Sequence, residues 1–227
     1  MLAAGRAERL GGRLLKGLVD VAGEPLVGRL CRQLFSLGMS VNVVTGHRAD
    51  EVEAGLAAYP VRFLRNPVSG SGLSWSFGVG LGDGEDGVLF VLGDTVTEVG
   101  LLRRVAGTDG ELVLGVIRVP LDAESMKVRV EEGRPTAIGK DLPLDVGYEL
   151  TGVVAVRGRG VARLRQAIAA HPVTADVCHG PIRQLLGTDL HCVAVDCTGF
   201  RWIEIDFPED VQRMRTLFPG SESSDTP

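Results

Sequence analysis

No apolar run in this 227-residue sequence reaches the ~18 residues that a membrane-spanning helix requires. No basic stretch followed by an apolar segment opens it, so a cytoplasmic protein without membrane association is expected. Aromatic residues make up only 5%, and the formal net charge is -5. That balance argues against a nucleic-acid partner. The four cysteines, Cys31, Cys178, Cys192 and Cys197, contain no CxxC pair, and their spacing with His179 and His191 matches no standard zinc pattern. They are expected as free buried thiols. There is no internal repeat. Lysine is scarce: Lys16, Lys127 and Lys140 stand against twenty-one arginines. A lysine retained in so arginine-rich a chain suits a place where a compact point charge meets a phosphate oxygen.

What is present is the composition of a globular protein, 44% hydrophobic and 23% charged. A single domain is expected over residues 1–219, with a polar, disordered tail over 220–227. The most informative segment is the first. Leu2-Ala3-Ala4-Gly5 is a short apolar stub running into a glycine, and Arg6, Arg9, Arg13 and Lys16 follow around Gly11-Gly12. A strand end that delivers backbone N–H groups and cationic side chains to one point suits a polyphosphate. Neither GxGxxG nor GxxxxGK[ST] fits this loop, so the dinucleotide fingerprint and the P-loop are both excluded there.

Downstream, apolar runs alternate with helical patterns. Strands are predicted at Val41 to Thr45, Val61 to Arg65, Val88 to Leu92 and His191 to Asp196. Helices are predicted at Pro25 to Leu37, Ala49 to Ala58, Leu73 to Leu81, Glu98 to Ala106, Val161 to Ala170, Pro181 to Leu186 and Pro208 to Phe218. Strands that read as solid apolar runs imply a parallel sheet covered on both faces. The expected fold class is therefore α/β, a Rossmann-like three-layer αβα with a mostly parallel central sheet. Between Leu112 and Arg157 four strand-like runs follow one another with only short turns, which predicts a small antiparallel lid over about 112–157.

Ligands of such sheets sit beyond the carboxyl ends of the strands. Gly93-Asp94 ends one buried run, and Glu204-Ile205-Asp206 ends another. Two carboxylates facing one crevice suit Mg²⁺, which takes one or two carboxylates plus substrate phosphates and water. Asp94 and Asp206 are the expected metal ligands. Glu209 and Asp210 open a helix, where an acidic residue is favoured by the helix dipole alone.

Three stretches resemble a known family. LAAGRAERLGGRLLKGLVDVAGEPLV is similar to the signature loop of the MobA-like and sugar-phosphate nucleotidyltransferases, which join an NTP to a phosphorylated acceptor. Trp202 to Asp210, WIEIDFPED, resembles the family's closing phrase. Ser125 to Leu142 resembles the inositol-1-phosphate and phosphocholine type cytidylyltransferases. The resemblance implies the nucleotide-diphospho-sugar transferase fold and a cytidylyltransferase-type activity with release of pyrophosphate. It implies that Leu2, Ala3, Ala4, Gly5 and Arg6 wrap the triphosphate while Arg9 and Lys16 hold it. Leu15 stands where the family usually has proline. Asn66, Gly72 and Ser74 fall in the stretch that resembles the base-recognition segment, where glycine allows close approach and hydroxyls read an edge. Lys127, and secondarily Lys140, would face the acceptor phosphate; a solvated strand lysine is the alternative for Lys127.

The implied partners are an NTP, with CTP favoured, and a small phosphate monoester, with Mg²⁺ as cofactor and room left for a homodimer. A sugar-1-phosphate nucleotidyltransferase using GTP, UTP or dTTP, and a non-catalytic nucleotide sensor, remain as alternatives. The resemblance also leads to the expectation that apolar residues precede Met1. A central strand short of about four buried side chains forgoes roughly 1.5–3 kcal/mol for each.

Overall fold

A computed structural model of the chain describes residues 1–5, 15–68, 72–82, 86–170 and 179–219. Arg6, Arg9, Arg13, Cys178 and the expected tail lie outside the described residues.

In chain order, a 3₁₀ turn at Lys16–Leu18 leads to the short pair β1 (Asp20–Val21) and β2 (Glu24–Pro25) and then to α1 (Leu26–Ser36). There follow β3 (Asn42–Thr45), α2 (Ala49–Gly55), β4 (Arg62–Arg65), α3 (Gly72–Leu81), β5 (Gly87–Val91), β6 (Thr95–Thr97) and α4 (Val99–Gly107). Next are β7 (Leu112–Ile117), β8 (Lys127–Glu131), β9 (Arg134–Gly139) and β10 (Gly147–Arg157). The chain closes with α5 (Arg159–Ala169), α6 (Gly180–Leu185), β11 (Cys192–Asp196), β12 (Trp202–Glu204) and α7 (Pro208–Leu217).

The first four residues stitch the sheet together. Leu2 makes parallel bridges to Val44 on one side and to Leu92 on the other. Their hydrogen bonds include Leu2 N–H to Val91 at 2.9 Å and Ala3 N–H to Val44 at 2.8 Å. The order across the sheet is thus β4, β3, residues 1–4, β5, β10, β7, β11, with β3–β4 and β7–β11 parallel and β10 antiparallel to both its neighbours.

Alternation along these strands builds two cores. Val43, Val91, Val113, Val153 and Ala155 face a core shared with Leu30 and Leu34 of α1, Leu101, Leu102 and Val105 of α4 and Met214 of α7. Val44, Phe90, Leu112, Leu114, Val154 and Val156 face the other, with Phe77 and Leu81 of α3 and Leu164 and Ile168 of α5. Successive strand residues point to opposite faces, so an unbroken apolar run feeds both layers. In α1, Leu26, Leu30 and Leu34 form one buried stripe, while Arg32 and Ser36 face solvent.

The antiparallel addition is smaller than the expected 112–157. β7 and β10 are members of the central sheet: β10 pairs with β5 over Val153–Arg157 and with β7 along most of its length. Both strands are almost wholly buried, so the helical layers cover them. The hairpin β8–β9 joins the sheet through Gly147–Glu149 at the start of β10, and its turn at Gly133 accepts the Ala194 N–H of β11 at 2.8 Å. No helix among the described residues is long and apolar enough to cross a membrane.

Candidate active site

The carboxyl ends of β3, β5, β7 and β11 and of the 1–4 segment share one edge of the sheet. Two close approaches shape that edge. A Cβ on Gly93 would lie 2.8 Å from the carbonyl oxygen of Leu2, and one on Gly46 would lie 2.8 Å from the Ala4 Cβ. Only glycine lets the strand ends Leu2–Gly5, Thr45–Gly46 and Leu92–Asp94 converge this tightly.

Asp94 and Asp206 come together through the β6–β12 ladder. Glu204 lies opposite Thr95, and the Ile205 N–H donates to the Asp94 carbonyl at 2.9 Å. This antiparallel pairing brings the residue before β6 beside the residues after β12. Asp210 fixes the far side. Its Oδ2 accepts the N–H groups of Asp206 at 3.0 Å and Phe207 at 2.8 Å, the capping role expected at the start of α7.

Lys16 sits between the two carboxylates. Its Nζ donates to Asp94 Oδ2 at 3.2 Å and to Asp206 Oδ1. Burial pushes the ammonium pKa down, but the Asp94 charge and the bonds to both carboxylates outweigh it, so the pKa is raised. The 3₁₀ turn that carries Lys16 lies close against α1, because a Cβ on Gly17 would meet Val27 Cγ2 at 2.6 Å. Asp94 Oδ1 is buried and has no hydrogen-bond partner among the described residues. A carboxylate oxygen left so is a ready ligand for a hard cation, and a pair of carboxylates fits Mg²⁺, which takes one or two of them plus phosphate and water oxygens. Among the described residues no group of three or more His, Cys, Asp or Glu is arranged to hold a metal. A cation here would therefore draw its remaining ligands from substrate and water.

Two further carboxyl groups flank the pair, and neither was singled out from sequence. Burial, followed by the charges of Asp94, Glu149 and Asp206, pushes the Glu204 carboxyl well above its usual range. Burial also raises Glu149, against bonds from the Ser125 hydroxyl and the Met126 backbone.

The residues expected at the base behave as a framework. The Asn66 N–H donates to the Thr45 carbonyl at 2.7 Å, its Oδ1 accepts the Val68 N–H at 2.9 Å, and its Nδ2 donates to Ser76 Oγ at 3.2 Å. Asn66 therefore ties the end of β4 to α3. Ser74 is buried within α3, and Gly72 is its first residue. Gly5 is exposed, with open space where a side chain would stand.

At the acceptor end the two lysines differ. Lys127 is only 1% exposed, and its Nζ donates to the carbonyls of Lys140 at 2.7 Å and Ser125 at 3.4 Å. It is not a solvated strand lysine. It lies opposite Glu149 in the β8–β10 register. Lys140 is exposed and pairs with Glu124 at 3.1 Å. Nearby stands a cluster that sequence reasoning missed. Arg118 stacks 4.1 Å over the Tyr148 ring and donates to its hydroxyl at 2.7 Å, and that hydroxyl donates to Asp196 Oδ2 at 3.2 Å. The strand-end rule applied to β7 and β11 would have found Arg118 and Asp196. The cysteines Cys31, Cys192 and Cys197 are free and buried, as expected.

Comparison with known proteins adds the lineage. The bifunctional IPC transferase and DIPP synthase of Rubrobacter xylanophilus is 30% identical over 99% of this chain, which spans 52% of that relative's length. The structure of the inositol-1-phosphate CTP transferase from T. maritima superposes with a TM-score of 0.80 at 21% identity, covering 96% of this chain and 95% of that one. The CTP:phosphocholine cytidylyltransferase of Streptococcus pneumoniae gives 0.78 at 15% identity, covering 95% and 96%. At such identities the two superpositions establish a shared fold, the nucleotide-diphospho-sugar transferase fold. The model of the MobA-like NTP transferase domain matches residues 1–114, from the glycine-rich opening through β5, Asp94 and α4. The chain belongs to the MobA-like NTP transferase domain family.

Proposed function

We propose that the protein transfers a cytidylyl group from CTP to the phosphate of a small polyol or alcohol, inositol 1-phosphate foremost, and releases pyrophosphate. The observation that carries this reading is the Asp94–Lys16–Asp206 arrangement at the sheet edge, with Asp94 Oδ1 left without a partner among the described residues. The choice of base and acceptor leans on the Rubrobacter and T. maritima proteins.

Charge dictates the division of labour. A phosphate monoester has a second pKa near ~6, so at neutral pH it is already an anionic nucleophile and needs no general base. The obstacle is repulsion between two polyanions, so catalysis is positioning and electrostatic stabilisation. Asp94 and Asp206 would hold Mg²⁺, which when bound supplies charge neutralisation at the phosphates. Lys16 would then turn its ammonium from the carboxylates to the triphosphate, beside Arg9. Leu2 to Arg6 would line the triphosphate path, and the Asn66-braced segment with Gly72 and Ser74 would border the base. Lys140, exposed, would contact the acceptor phosphate. Lys127, holding the Lys140 carbonyl, would act as a positioning residue with one N–H left to offer.

Pyrophosphate release from CTP, UTP, GTP and ATP, each crossed with inositol 1-phosphate, phosphocholine and glucose 1-phosphate, tests the proposal. The expected maximum is CTP with inositol 1-phosphate. A maximum at UTP or GTP with glucose 1-phosphate would replace it with a sugar-phosphate activity. Tight NTP binding without pyrophosphate in any pair would make the protein a sensor.

A further inference from the structure

Arg183 of α6 grips the end of the β8–β9 hairpin. Its Nε donates to the Ile138 carbonyl at 2.9 Å, and its Nη2 pairs with Asp141 Oδ1 at 2.9 Å. The two contacts fall on either side of Lys140. The Lys140 carbonyl is the one that accepts the Lys127 Nζ at 2.7 Å. Arg183 thus brackets the residue whose main chain holds the buried lysine.

Both ends of this clamp are firmly seated. Ile182 and Leu185 of α6 are buried in the core shared with α3 and α5, and the Arg183 N–H donates to the His179 carbonyl at 2.9 Å. On the hairpin, Gly139 lies opposite Lys127 in the β8–β9 register. A Cβ there would fall on Arg183 Nη2 and on Asp141 Oδ1, so glycine lets the guanidinium lie against the strand. The planar fork of arginine suits a carbonyl and a carboxylate presented together. Of the two contacts, the bond to Ile138 is the stronger hold. It is charge-assisted and part-buried, whereas the Asp141 side chain is 72% exposed and its ion pair is screened by solvent.

We propose that Arg183 is a positioning residue for the acceptor half of the site, given the roles proposed above for Lys127 and Lys140. It fixes residues 138–141 from outside the hairpin. The Lys140 carbonyl then keeps the Lys127 ammonium in place with its third N–H directed to the acceptor, and the Lys140 side chain leaves a fixed main chain. Arg183 acts through these residues and not on the substrate itself.

The chain has three lysines, so acylation with acetic anhydride followed by peptide mass mapping reads each one separately. In the unaltered protein Lys127 should react at least about tenfold more slowly than the exposed Lys140. Arg183→Met removes the clamp, and Gly139→Ala displaces it with the arginine still present. Each should speed the acylation of Lys127 about fivefold or more. Lys16, which shares no partner with the clamp, should change by less than about twofold. In turnover, both variants should raise the KM for inositol 1-phosphate about fivefold and leave the KM for CTP within about twofold. An unchanged Lys127 rate, or a rise that Lys16 shares, overturns the proposal. An acceptor KM that stays put while Lys127 is released overturns it as well. If no substrate pair turns over, the functional reading fails, and the acylation rates still decide whether Arg183 holds Lys127.

Discussion

At the scale of single residues, Lys16 holds two roles that pull apart. In this structure its ammonium answers the charge of Asp94 and Asp206. In turnover the same ammonium would face the triphosphate. The two demands predict opposite responses to one substitution. Lys16→Met removes the cation that competes for the carboxylates, so Mn²⁺ binding, followed by electron paramagnetic resonance in the absence of nucleotide, should tighten. The loss of one preorganised donor to developing charge costs about 2–4 kcal/mol in the barrier, or roughly 30- to 1000-fold in kcat/KM. Asp206→Asn should lose both metal affinity and turnover. Weaker Mn²⁺ binding in Lys16→Met would mean that Lys16 supports the cation site and does not compete for it. The lysine scarcity was a useful signal in the sequence, because Lys16 and Lys127 do occupy special places. It did not show that Lys127 spends two of its donors on main-chain carbonyls. That depends on the Ser125 and Lys140 carbonyls converging, which no local pattern encodes.

Among the elements, the two shortest matter most to the site. β6 and β12 have three residues each, too few for a periodicity to register; the apolar run ending at Glu204-Ile205-Asp206 points to β12, while nothing in the sequence points to β6. Their pairing nevertheless brings Asp94 and Asp206 together. The longer strands were legible because they read as solid apolar runs. β7 and β10 were legible as strands but were assigned to the antiparallel lid, since pairing partners are a tertiary property. Glycines at strand ends give an element-scale prediction. Gly93→Ala places a methyl group 2.8 Å from the Leu2 carbonyl and 3.1 Å from the Ala3 Cα, both backbone atoms that cannot step aside. Chemical denaturation should show a loss of about 1–3 kcal/mol, and NTP affinity should fall with it. Gly107→Ala, in the last turn of α4 with nothing within 4 Å of the added carbon, should instead gain up to about 1 kcal/mol. A stable, active Gly93→Ala protein would show that the strand ends need not approach so closely.

For the molecule as a whole, the sheet gathers the candidate site at one edge. Carboxyl ends carry Gly5, Asp94, Arg118, Asp196 and the β8–β9 hairpin, while a cavity beside Met1 lies at the amino ends. The α/β class and its two covered faces followed from apolar runs alternating with helical stripes, because each such run must feed a core on both sides. The acceptor half was less legible. Arg118, Tyr148, Glu149 and Asp196 come from three strands whose adjacency is invisible until the sheet order is known.

In the proposed reaction an acceptor phosphate oxygen attacks the α-phosphorus of the nucleotide at the Asp94–Asp206 edge. Phosphorus NMR of a reaction run with Mg²⁺, CTP and inositol 1-phosphate carrying ¹⁸O in its phosphate tests it directly. That attack leaves ¹⁸O in the bridge between the two phosphorus atoms of the product, with unlabelled pyrophosphate in equal amount. An unlabelled bridge, or label in the released phosphate, would contradict it.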